Sequence, residues 1–196
     1  MPYKFTFDDV DSKFSCFLEC TRCQGTNSNG NQCLKVCCIG VPYCWIHLES
    51  EKKLKIKTST TIGGEKGLFA FDKKAVKNEI LFRKGKEIVR YYGEKIPVNE
   101  LENRYGIHTA PYAMTLKKNI FEDAACKRGI GGLINKGNSR QINVKLVTKR
   151  VNNKVDHIAV KAMKNIRNRQ ELFTSYGNGF ILNENGVTMK TRSAKR

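Results

Sequence analysis

From residue 58 onward the chain is built of short apolar runs broken by charge and glycine. Gly67-Leu68-Phe69-Ala70-Phe71 and Glu79-Ile80-Leu81-Phe82 read as strands, as does Glu87-Ile88-Val89-Arg90-Tyr91-Tyr92, which stops at Gly93. Ile142, Val144 and Leu146 alternate with Asn143 and Lys145, and Ile158, Val160 and Ala162 alternate on the way back. Asn152-Asn153 lies between the two runs, so the pattern predicts a β-hairpin with its turn there. One short helix is predicted from Val98 to Tyr105, started behind Pro97 and stopped at Gly106. Residues 51–57 alternate charged and apolar groups, as a first strand or a linker would. Many strands and few helices predict a mainly β domain of the α+β type over residues 58–178.

Composition divides the rest. Residues 1–15 read as a leader, residues 16–48 as a module rich in Cys, Gly and Asn, and residues 179–196 as a polar C-terminal segment ending in a basic tail. A hydrophobic content of 40% is that of a folded protein rather than a disordered one. No apolar run approaches the roughly 18 residues that span a bilayer, and the first ten residues lack a signal-peptide layout. The expectation is a soluble, intracellular protein with no membrane partner. The net charge of +18 favours nonspecific attraction to polyanions such as DNA, but the basic residues are scattered and mark no single footprint.

Seven of the eight cysteines fall between Cys16 and Cys44, and Cys126 stands apart. Such clustering beside a histidine points to metal rather than to a disulfide framework. Cys23, Cys33, Cys44 and His47 form the expected zinc site, because a Cys-x-x-His pair supplies two corners of a tetrahedron from one turn. Gly25, Gly30 and Gly40 let the backbone bend around it. About thirty residues bury too little apolar area to fold unaided, so a metal would complete the module. Cys20 is an alternative to Cys23, buried free thiols are the alternative to a metal, and Cys16, Cys37 and Cys38 are surplus. The run Cys23, Gly25, Thr26, Gly30, Cys33, Tyr43, Cys44, His47 resembles short Cys-rich motifs in proteins of large DNA viruses.

Four further segments carry the chemistry: Lys66-Gly67-Leu68-Phe69-Ala70, Tyr91-Tyr92-Gly93-Glu94, Gly132-Leu133-Ile134-Asn135-Lys136 through Asn143, and Glu171-Leu172-Phe173-Thr174-Ser175-Tyr176-Gly177. Each is weak alone. In this order they resemble the SET-domain protein-lysine methyltransferases. The resemblance implies a fold of short curved sheets with a C-terminal pseudoknot, S-adenosylmethionine as methyl donor, and a lysine-bearing protein, a histone tail by analogy, as substrate. It also implies a nuclear or chromatin address, which for a viral protein would lie in the host cell.

The same resemblance assigns roles. Tyr176 matches the catalytic tyrosine, and Tyr91 and Tyr112 line the lysine channel. A lysine must arrive uncharged although its free pKa is about 10.4. Dry, phenol-lined walls and a nearby cation favour the neutral amine and orient it. Lys66, Gly67 and Leu68 would hold the donor's methionine part together with the Asn135 side chain. Lys136 would touch adenine through its backbone, and Phe180 would cover the adenine face. Glu94, Glu122 and Asp123 are the acidic groups expected to meet a basic tail. Departures from the family pattern stand at Glu65, in place of the usual first glycine of the Gly-x-Gly turn although Gly63 and Gly64 stand just before it, at Lys136-Gly137 in place of His-Ser, and at Thr174. They leave a catalytically degenerate, chromatin- or nucleic-acid-binding SET-like protein as the alternative.

Overall fold

The computed structural model describes residues 4–9, 12–37, 41–61, 66–106, 110–176, 180–183 and 186–189, the last two stretches and Asp9 by backbone alone. Strands dominate them, and they form small sheets of two or three members rather than one large sheet. Among these residues no helix is long and apolar enough to cross a membrane.

The predicted hairpin is present as Val144–Val151 paired with Lys154–Ala162. Asn152 and Asn153 both take positive φ, 49° and 62°, the left-handed conformation that a two-residue turn of matching twist requires. Glu87–Tyr91 adds a third strand beside Lys154–Ala162. The predicted helix spans Val98–Tyr105, and Gly106 ends it with φ 59°. A second antiparallel sheet orders Ala113–Lys117, Ile120–Asp123 and Glu94–Pro97. Leu54–Lys57 is a strand paired with Gly67–Ala70. Residues 51 and 52 instead close a helix, Trp45–Lys52, that the sequence pattern did not predict.

The main core gathers Leu48, Leu54, Leu68, Val144, Val160, Ile166 and Leu172. Each such side chain removed from water stabilises the fold by about 1.5–3 kcal/mol. Leu48 and Val41 belong to this core, so the Cys-rich module is packed onto the large domain. A second core joins Phe7, Ile96, Leu101, Tyr105 and Phe121, with Phe5 and Phe14 against it. Phe5, Phe7 and Phe14 come from the stretch read as a leader, which forms a hairpin of Lys4–Asp9 and Ser12–Phe17.

The segment after Glu171 is held from two sides. Phe173–Thr174 runs parallel to Asn135–Lys136, and Gly137 N–H donates to the Thr174 carbonyl at 3.0 Å. Asn143 N–H donates to the Phe173 carbonyl at 3.0 Å. A Cβ at Gly137 would lie 2.7 Å from Phe173 Cβ, so the glycine lets the two segments close.

Candidate functional site

The buried carboxylate of Glu171 organises one end of the site. It accepts from Ser59 Oγ at 2.7 Å, Thr60 N–H at 2.8 Å and Thr60 Oγ1 at 2.6 Å. Gly67 lies directly on it: a Cβ there would stand 2.1 Å from Glu171 Oε1. Asn135 Nδ2 donates to the Lys66 carbonyl at 2.9 Å and stands 3.4 Å from Glu171 Oε1. The Lys66-Gly67 turn and the Asn135 loop, 69 positions apart, are thus locked together. A carbonyl oxygen has two lone pairs, so Lys66 keeps one. With the Asn135 side-chain oxygen it offers two acceptors side by side. That pair of acceptors fits an ammonium group such as the one on the methionine part of S-adenosylmethionine.

Leu68 is fully buried in the main core, and its carbonyl accepts from Leu172 N–H at 2.8 Å. Lys136 lies half-buried on the parallel ladder opposite Thr174. Thr174 itself is buried. Gly63, Gly64 and Glu65 lie outside the described residues, as does the side chain of Phe180.

The three predicted tyrosines meet. Tyr91 is buried, and its hydroxyl donates to the Tyr112 carbonyl. The Tyr176 hydroxyl donates to the Ile134 carbonyl at 2.6 Å, the residue before Asn135. Burial raises the pKa of both phenols, for Tyr91 reinforced by Tyr176 and Asp123 and for Tyr176 by Tyr112. Both therefore stay protonated at neutral pH and act as hydrogen-bond donors, not as bases. Phe5 meets the Tyr112 ring edge-on at 5.4 Å. The Arg128 guanidinium stacks 4.0 Å from the centre of that ring.

The acidic groups do not form a docking surface. Asp123 is fully buried, where it accepts from Tyr105 Oη at 2.8 Å, Arg104 Nη1 at 3.1 Å and Ala125 N–H at 3.1 Å. Glu122 is buried as well. Glu94 reaches the surface but is paired with Arg104 at 2.6 Å. The expectation that these three meet a basic tail is therefore corrected: Glu94 and Asp123 hold the helix Val98–Tyr105 against the sheet through Arg104 and Tyr105, and Glu122 accepts from Gly93 N–H. Two residues with a place in the site had no assigned role in the sequence reading. Glu171 stood inside the fourth motif, yet nothing showed that Ser59 and Thr60 would grip it. Arg128 was one of 36 basic residues, with no local signal to single it out.

The cysteines divide between two uses. Ligand atoms of Cys23, Cys33, Cys44 and His47 all lie within 4.8 Å of one another. His47 Nδ1 stands 3.3 Å from Cys23 Sγ and 3.4 Å from Cys44 Sγ. Zinc–ligand bonds of about 2.0–2.3 Å in a tetrahedron separate neighbouring ligands by roughly 3.5 Å, so the group fits that ion. Burial raises the Cys23 thiol, but N–H donors from Cys44 and Gly25 outweigh it and bring its pKa down to about 7. A Cβ at Gly25 would lie 2.2 Å from the His47 ring, so this glycine makes room for the ligand. Cys37 packs against the cluster, where burial and the neighbouring Cys23 and Cys44 push its thiol up to about 11. Cys16 forms a disulfide with Cys126, 110 positions away, and Cys20 is also disulfide-bonded. The expectation of metal instead of disulfides in the cluster is corrected for Cys16 and Cys20, and Cys23 rather than Cys20 joins the ligand group.

Comparison with known proteins gives one family. Residues 75–177 match the sequence model of the SET domain. No curated protein matches the chain. Solved structures of the Chaetomium thermophilum polycomb repressive complex 2 are similar. One superposes with a TM-score of 0.54 at 27% identity, over 71% of this chain and 16% of that chain. Another, bound to S-adenosylmethionine, gives 0.52 at 27% identity, over 65% and 15%. A third, in complex with H3K27me3 and H3K27M, gives 0.53 at 25% identity, over 72% and 17%. The chain thus spans only about a sixth of the length of those chains.

Proposed function

This chain belongs to the SET-domain family, and from that premise we propose that it is a methyltransferase that moves a methyl group from S-adenosylmethionine to lysine side chains of histones or other chromatin proteins. The observation that carries the reading is the Tyr176 hydroxyl on the Ile134 carbonyl at 2.6 Å. That contact joins the cluster of phenols to the loop whose next residue, Asn135, grips the Lys66-Gly67 turn.

When bound, S-adenosylmethionine supplies a methyl group on a positively charged sulfur. Lys66 and Asn135 accept from its ammonium group with their free oxygen lone pairs. Tyr91 and Tyr176 hold their protons and line the path of the target lysine, excluding water and orienting the nitrogen lone pair. Leu68 supports the turn from the core rather than by contact. The reading draws further support from similar solved structures that hold S-adenosylmethionine and H3K27me3. The Cys23, Cys33, Cys44 and His47 group would hold one zinc ion with a structural role, since all four tetrahedral corners come from the protein.

The test is transfer of radiolabel from S-adenosylmethionine to purified core histones. Label on lysine supports the reading. No label on histones or on any protein of a chromatin extract, with the cofactor bound, overturns it in favour of a SET-like binding protein.

A further inference from the structure

Arg128 is an unusual residue to find beside a channel of phenols. It is more than nine-tenths buried. Its Nε donates to the Ala124 carbonyl at 3.0 Å, its guanidinium carbon stands 4.0 Å from the centre of the Tyr112 ring, and its Nη2 is buried with no hydrogen-bond partner. No carboxylate among the described residues pairs with it. A buried charge without a counter-ion is costly, and the fold makes room for this one. A Cβ at Gly132 would come within 2.8 Å of Arg128 Cγ.

On the side of the helix Val98–Tyr105, Arg104 is shared by Glu94, Glu100 and Asp123, with Tyr105 bound to the Asp123 carboxylate. On the side of the strand Glu87–Tyr91 stands Tyr91, and from the C-terminal segment Tyr176; both are neutral phenols that feel the Arg128 charge. The Tyr112 ring lies directly under the guanidinium. Arg128 therefore places a positive charge beside the phenol cluster that opposes the negative field of Asp123 there.

We propose that Arg128 is a positioning residue for methyl transfer, whose fixed charge beside Tyr112 keeps the arriving lysine in the uncharged amine form. The inference rests on the methyltransferase reading above. The lysine ammonium loses one proton to solvent as it enters. Its nitrogen lone pair then forms the N–C bond while the C–S bond breaks and leaves its electron pair on sulfur. A nearby cation raises the energy of the ammonium but not of the neutral amine. The field thus favours the form that reacts, and no side-chain base is needed.

The test compares the parent, Arg128→Gln and Arg128→Lys by kcat with labelled S-adenosylmethionine and saturating core histones from pH 6.5 to 10. The kcat profile reports groups in the bound complex. For Arg128→Gln the rising acid limb should move up by about one pH unit, so that the rate falls about tenfold at pH 7.5 and recovers near pH 10. Arg128→Lys keeps the charge and should keep the parent limb. A limb for Arg128→Gln that superposes on the parent, or a loss equal at every pH, overturns the inference and leaves the methyltransferase reading intact. A parent without turnover overturns both. Should Arg128→Gln fail to fold, the parent decides the matter. Its affinity for a lysine histone peptide must tighten with pH while that for the norleucine peptide stays flat, and flat binding of both overturns the inference.

Discussion

The side-chain amide of buried Asn143 donates to the main-chain carbonyl of Glu171 at 2.7 Å. Its oxygen accepts from Phe173 N–H at 2.9 Å. One side chain thus serves as a strand edge for the segment that carries Tyr176, on the side away from Asn135–Lys136. Asn143→Ala strips both bonds and leaves a buried carbonyl and a buried N–H without partners, at about 1–3 kcal/mol each. Urea denaturation should show a loss of about 2–6 kcal/mol. A midpoint unchanged from the parent would mean that the segment is held by the parallel ladder alone.

Tyr176→Phe separates chemistry from folding. The ring stays, and the hydroxyl with its bond to the Ile134 carbonyl is lost. Stability should fall by about 1 kcal/mol, the net contribution of one hydrogen bond. Methyl transfer should fall by about a hundredfold or more, because the hydroxyl fixes the tyrosine against the cofactor loop. Label incorporation and thermal melting on the same preparation check both halves. Transfer at the parent rate would remove Tyr176 from the reaction.

What could be read from the sequence was local or ordered along the chain. Asn152-Asn153 and Gly106 announce their turns because few other residues tolerate positive φ. The four motifs could be placed because their order is itself information. The helix Trp45–Lys52 escaped because its apolar residues mislead: Trp45 and Ile46 are exposed and only Leu48 is buried. The hairpin Lys4–Phe17 was read as a leader, since the partners of its phenylalanines, Leu101 and Tyr105, lie far along the chain. Cys16 meets Cys126 for the same hidden reason. Glu122 and Asp123 looked like surface charge because a sequence does not show which carboxylates are buried against arginine, tyrosine or backbone.

Metal in the Cys-rich module can be measured directly. The purified chain should contain about one zinc ion, as a single tetrahedral site implies. Cys44→Ser or His47→Ala should lower that content, since each removes one member of the ligand group. Strong chelation should lower the melting temperature, because Leu48 and Val41 of the module lie in the main core. Zinc binding should weaken as pH falls, because protons compete for the thiolates. Elemental analysis of parent and variants decides it; full zinc content in Cys44→Ser would sink the assignment.

Glu122 offers a stability test with a definite sign. Burial raises its pKa, opposed by the Gly93 N–H and by Lys95 and His157. Its Oε1 accepts from that N–H at 3.3 Å, while its Oε2 is buried without a partner. The folded chain therefore binds this proton more tightly than the unfolded chain does. The favourable contribution is complete below the ordinary carboxylate range and is lost as pH rises through the folded pKa. Glu122→Gln keeps an acceptor for Gly93 and carries no charge to desolvate. The variant and the parent should be nearly equally stable at pH 4, and the variant should gain on the parent as pH rises to 7.5. Paired denaturation curves at the two pH values measure the difference. An advantage that shrinks or reverses as pH rises would show that Glu122 is stabilised as the charged carboxylate, against the burial that the structure gives it.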